Sequence, residues 1–128
     1  MARRQSRALA ERCRAHHVPF WLNDRADLAL LVKADGLHLG QDDLPTADAR
    51  HLVGALSIGR STHSLEQARA AADEGADVLG FGPVFATSTK LNPDPQVGLE
   101  GLRAVVQKVA KPIVAIGGID VHNAAAVA

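Results

Sequence analysis

Five short apolar runs, each ending in a polar or glycine-rich cluster and each followed by a helical segment, restrict this chain more than any other feature of it. The runs are residues 18–22, 36–40, 56–59, 78–82 and 112–116. They end respectively at Asn23-Asp24, Gln41-Asp42-Asp43, Arg60-Ser61-Thr62-His63, Pro83 and Gly117-Gly118. Strand and helix in strict alternation predict parallel βαβ units with right-handed crossovers. Helical character is expected over 4–17, 25–33, 46–53, 64–75 and 98–110. Thr46 is a plausible N-cap, Ser64 to Gln67 has capping-box spacing, and Asp120 can cap a last helix. Ala34-Asp35-Gly36-Leu37 and Ala76-Asp77-Val78-Leu79 introduce two different strands with the same cadence.

In a (β/α)8 barrel all strand ends face one mouth, where the chemistry sits. A doubly wound sheet also binds ligands at strand ends, but only at its switch point. All five ends here carry candidate groups, which favours the barrel. The expected fold is an incomplete (β/α)8 barrel of about five central units, its first strands and its last strand missing. Residues 1–128 read as one partial barrel domain, with 1–17 as its N-terminal helix. An unclosed barrel leaves unpaired sheet edges, so weak stability, weak or absent activity and self-association through those edges are expected of this chain alone.

Composition narrows the function. The 128 residues carry 14 basic and 14 acidic side chains, and aromatics make up 3 %. Neither a basic field nor a stacking platform is available, which argues against a nucleic-acid partner. No apolar run reaches membrane-spanning length, which argues against a membrane partner. A lone Cys13 fits a reducing, cytoplasmic setting. Cys13, His16 and His17 fall short of the four ligands of a structural zinc site.

The chemistry concentrates after the fourth run. Thr87, Ser88, Thr89 and Lys90 open a long segment without periodicity, and their hydroxyls and ammonium suit phosphate oxygens. Gly117-Gly118, placed before a helix start, suits a second anion. Asp24 and Asp43 close consecutive strands, where two carboxylates can share a Mg2+ whose shell phosphate and water complete. Ser61 and His63 project from the third strand without the nucleophile elbow of a hydrolase; His63 reads as a hydrogen-bonded structural residue. His38 alternates with Leu37 and Leu39, leaving open which face of the sheet it occupies.

Asn23-Asp24-Arg25, the segment from Ala34 through His38 to Asp43, Ile58-Gly59-Arg60-Ser61-Thr62-His63, the run from Gly80 to Lys90, and Val114 to Ile119 together resemble thiamine-phosphate synthases in order and spacing. The resemblance implies a (β/α)8 barrel transferase that joins hydroxymethylpyrimidine diphosphate to thiazole phosphate, releasing diphosphate. It implies Mg2+ on Asp24 and Asp43, and pyrimidine diphosphate contacts from Asn23, Ser61 and Lys90. Ser61 and Lys90 take the catalytic positions, and Thr87, Ser88, Thr89 and Gly118 grip the thiazole phosphate. Two alternatives accompany it. One is the related thiazole tautomerase, which carries a His where this chain has Pro83 and lacks carboxylates matching Asp42-Asp43. The other is a non-catalytic barrel remnant that binds phosphate ligands.

Overall fold

The computed structural model describes residues 2–89, 91 and 94–128. Its elements alternate as α1 (Ala2–Ala15), β1 (Trp21–Asn23), α2 (Ala26–Val32), β2 (Gly36–Leu39), α3 (Thr46–Val53), β3 (Ser57–Thr62), α4 (Leu65–Asp73), β4 (Val78–Phe81), α5 (Gly98–Lys108), β5 (Ile113–Ala115) and α6 (Ala124–Val127). All five strands are parallel and lie in sequence order β1-β2-β3-β4-β5. Consecutive parallel neighbours with intervening helices are barrel winding rather than the order reversal of a doubly wound sheet. Among the described residues β1 and β5 each pair on one side only, so the barrel is not closed.

Strand alternation sorts the side chains onto two faces. Leu37, Leu39, Ile58, Leu79 and Phe81 face the helices and are buried to 1 % exposure or less. Burying each such side chain contributes about 1.5–3 kcal/mol. They form two clusters, one joining the first three helices to β2 and β3, the other joining α4 and α5 to β4. Small residues on the helices (Ala29, Ala49, Ala68) are fully buried against this layer and let the helices approach the sheet.

The opposite, concave face carries Trp21, His38 and Ile116 over a floor of glycines. A Cβ on Gly36 would collide with the Trp21 ring, one on Gly59 would lie 2.6 Å from His38 Nδ1, and one on Gly80 3.3 Å from His38 Cε1. The glycines in β2, β3 and β4 are therefore seats for two large rings. This face answers the question of His38: the ring sits on the concave side, away from the helices.

Local signals are mostly honoured. Ser64 Oγ accepts from Gln67 N at 3.1 Å while Gln67 Oε1 accepts from His63 N at 2.8 Å, a capping box with its reciprocal bond shifted to the preceding residue. The Asp120 carboxylate accepts from His122 N and Asn123 N, and its carbonyl from Ala124 N, so it organises the turn into α6. Thr46 departs from expectation. Pro45 occupies the N-cap position, and the Thr46 hydroxyl is buried inside the first turn without a hydrogen-bond partner among the described residues. The preceding proline carries the chain into the helix one residue early, and Thr46 is turned inward by packing.

Candidate active site at the strand ends

Asp24 follows β1 and adopts φ 65°, with the Arg25 N–H donating across it to the Asn23 carbonyl at 2.7 Å. Such a three-residue turn at positive φ costs roughly 1–3 kcal/mol, at the low end for an Asp. The Asp24 N–H still donates to His38 O at 2.8 Å, which extends the β1–β2 ladder by one rung and fixes where the carboxylate leaves the backbone. The carboxyl of Asp24 lies beside that of Asp43. Loss of hydration raises its pKa above the ordinary value, contact and repulsion from Asp43 raise it further, and His38 opposes them.

Asp43 reaches this position through the turn after β2. Its Oδ2 accepts from Gly40 N at 2.6 Å, and its own N–H donates to Gly40 O at 3.2 Å. Gln41 Nε2 donates to the Ser61 carbonyl at 2.6 Å, tying this turn to the end of β3. His38 Nε2 lies 2.8 Å from Ser61 Oγ. Burial lowers the His38 pKa below its ordinary value; Asp24 acts against burial, Arg60 with it and Asp43 against it. Burial thus favours the uncharged ring, and its Nε2 shares one hydrogen bond with the Ser61 hydroxyl.

A cleft of about 440 Å3 opens over these ends, bordered by Asp43, Ser61, His63, Thr87, Thr89 and Asp94 among others. Thr87 and Thr89 hydroxyls lie 2.9 Å apart, and Thr89 N also approaches Thr87 Oγ1 at 3.4 Å. One hydroxyl donates to the other, leaving one O–H and the remaining lone pairs for a ligand. Ser88, between them, is exposed and does not border the cleft. Lys90 lies outside the described residues.

The last strand end supports this loop. Val84 N donates to Ile116 O at 2.9 Å and Phe85 N to Gly117 O at 3.0 Å. Gly117 and Gly118 have φ 93° and 65°, and a Cβ on Gly118 would lie 2.5 Å from the Ala86 carbonyl. Glycine is required twice over, for the backbone angle and for the loop seated on it. The helix expected directly behind Gly118 starts only at Ala124 and is four residues long. The Gly117-Gly118 turn is thus a support for the Thr87–Thr89 loop, and no helix end points from it.

Of the predicted residues, the structure brings Asp43, Ser61, Thr87 and Thr89 to the cleft and joins Asp24 to Asp43 at its rim. Asn23 borders a separate hollow of about 550 Å3 on the concave face, with Trp21 and His38. Two cleft residues escape sequence reasoning. Asp94 sits in a stretch without periodicity, and no local signal marks it. His63 reads from the sequence as structural, and its Nδ1 does contact Gly82 O at 2.6 Å; its Nε2, however, faces Asp94 Oδ2 across the cleft at 3.4 Å.

The donor set suits a hard cation. Two carboxylates in mutual contact at a cleft rim leave like charges to be neutralised, and Mg2+ characteristically takes one or two carboxylates with phosphate and water. Among the described residues no cluster of three or more His, Cys, Asp or Glu side chains forms a fuller metal cage, and no helix is long and apolar enough to cross a membrane.

Comparison with known proteins gives the family. The thiamine-phosphate synthase of Chloroflexus aurantiacus is 56 % identical over 108 residues, covering 84 % of this chain and 50 % of that protein. The Pelotomaculum thermopropionicum thiamine-phosphate synthase is 55 % identical over 120 residues, covering 93 % and 55 %. The structure of thiamine phosphate pyrophosphorylase from Pyrococcus furiosus superposes with a TM-score of 0.89 at 42 % identity, over 98 % of this chain and 59 % of that one. The chain spans about half the length of the curated relatives it matches. A family model described as thiamine monophosphate synthase matches residues 2–128, and the chain belongs to that family.

Proposed function

We propose that this chain carries the central part of a thiamine-phosphate synthase site, which joins a pyrimidine diphosphate to a thiazole phosphate in the cytoplasm and uses Mg2+. The reading rests on the meeting of Asp24 and Asp43 at the rim of the cleft that Thr87 and Thr89 border. Asp24 and Asp43 would hold Mg2+, which when bound would supply positive charge to offset that of diphosphate. Ser61, oriented by His38, contacts the pyrimidine substrate from the cleft. Asn23 and Lys90 are the further residues read as contacts of the pyrimidine diphosphate. Thr87 and Thr89 take the thiazole phosphate, with Gly118 fixing the loop that carries them; Ser88, on the same loop, is exposed and stands outside the cleft lining. The chemistry this arrangement favours is positioning and charge stabilisation, with no enzyme nucleophile. Residues 1–128 act as one partial barrel unit, and its β1 and β5 edges are where a further strand or a second copy would pair.

The test is formation of thiamine phosphate from the two substrates by the purified protein, together with Mg2+-dependent binding of inorganic diphosphate. Product formation that stops on addition of EDTA and in Asp24→Asn supports the reading. Turnover indifferent to EDTA, or diphosphate binding that is unchanged by Mg2+ and by Asp43→Asn, refutes it.

A further inference from the structure

Arg60 lies in β3 on the face that buries Ile58, and only 7 % of it is exposed. A guanidinium among apolar side chains is costly unless its N–H groups are satisfied and the charge has a use. Its hydrogen-bond partners are main-chain carbonyls from a single turn: Nη1 donates to Leu44 O at 2.7 Å and Nη2 to Gln41 O at 3.4 Å. These carbonyls bracket Asp42 and Asp43. The next residue along the strand, Ser61, holds the same turn by accepting from Gln41 Nε2. Two successive residues of β3 thus grip the β2–α3 turn, Arg60 through its side chain and Ser61 through its main-chain carbonyl. Inside the turn, Asp43 is pinned to Gly40 N.

We propose that Arg60 is a positioning residue that holds the Gly40–Leu44 turn so that the Asp43 carboxylate meets Asp24, and so sets the affinity of that pair for a divalent cation. The cation half of this inference rests on the Mg2+ reading above. The turn-holding half rests on the hydrogen bonds alone. Arg60 touches neither carboxylate, so its influence passes through the backbone of the turn. The nearby guanidinium charge also acts on His38, as do both aspartates.

Two measurements on the 128-residue chain decide the matter. The first is Mn2+ binding, followed by electron paramagnetic resonance, in wild type, Arg60→Met, Arg60→Lys and Asp43→Asn. Supporting residues behind metal ligands typically change affinity by about 10–100-fold, so Arg60→Met is expected to weaken Mn2+ about tenfold. Arg60→Lys should recover part of that, since one ammonium reaches at most one of the two carbonyls well. The second is amide hydrogen exchange. Gly40 N is expected to exchange about tenfold faster in Arg60→Met, a local opening, while Leu37, Leu39 and Ile58 in the flanking strands keep their protection. Unchanged Gly40 exchange in both Arg60 variants, or uniform loss of protection across the sheet in both, overturns the proposal. Faster Gly40 exchange with Mn2+ affinity equal to wild type overturns its cation half. If Mn2+ binds wild type and Asp43→Asn equally, the metal reading fails, and Gly40 exchange alone decides the role of Arg60.

Discussion

The two ends of the sheet use aspartate in opposite ways. At the strand starts, Asp35 Oδ2 accepts from Phe20 N at 2.7 Å while Asp35 N donates to Phe20 O at 2.8 Å. Asp77 repeats the motif on Ile58, at 2.8 and 2.7 Å. Each carboxylate there closes a ring with the backbone entering the neighbouring strand, and Asp77 adds Arg50 at 2.6 Å. At the strand ends, Asp24 sits at positive φ and is set against Asp43. One end satisfies its charges internally; the other gathers like charges at a cleft. This division matches barrels generally, in which one rim serves stability and the other chemistry.

Breaking the stable end should have the largest effect. Arg50 donates to Gly54, Leu56 and Gly75 carbonyls as well as to Asp77. Arg50→Met leaves those acceptors without it and is expected to cost about 2–4 kcal/mol in urea unfolding. Asp77→Asn keeps an acceptor for Ile58 N but loses the charge, and about 1 kcal/mol is expected from the same measurement. At the cleft end the sign reverses. Asp24→Asn relieves repulsion with Asp43 and should leave stability unchanged or raised by less than about 1 kcal/mol, because solvent screens the pair. A clear loss of stability in Asp24→Asn would erase the contrast between the ends.

Acid titration sharpens the same contrast by a smaller effect. Burial alone would raise the Asp77 pKa, but the Ile58 N–H, Arg50 and Lys111 together hold it below the ordinary value. Its stabilisation is therefore complete above the unfolded value and is lost as pH falls through the folded one. The Asp24 pKa is raised, so the folded state takes up that proton first, and stability from this group increases as pH falls toward and through its folded value. Urea midpoints across the acid range should fall less steeply for Asp77→Asn than for wild type, and more steeply for Asp24→Asn.

Much of this was legible in the chain. The repeated Ala-Asp cadence before two strands announced a shared role, and the bonds to Phe20 and Ile58 supply it. Arg60 was legible in principle, because period-two alternation puts it on the face of Ile58, where a charge has to be explained. Thr46 misled, since a Thr before a helical run looks like a cap until the proline ahead of it takes the place. Thr87, Ser88 and Thr89 were equivalent as a string of hydroxyls; only the path of the loop separates the outer two from Ser88. Asp94 carried no signal, because its approach to His63 is a contact between residues distant in the chain and the stretch around it has no periodicity.

By itself the sequence determined the winding of the sheet, because hydrophobic periodicity and strand-end chemistry are local and each unit buries its own apolar face. It also determined which strand ends carry carboxylates, hydroxyls and glycines. Only the tertiary structure decided that Asp24 turns through a positive φ to meet Asp43, that His38 faces the concave side over Gly59 and Gly80, and that Gly118 serves the loop above it. Those outcomes depend on contacts between neighbouring strands and on space left by absent side chains, and neither is written in any single segment.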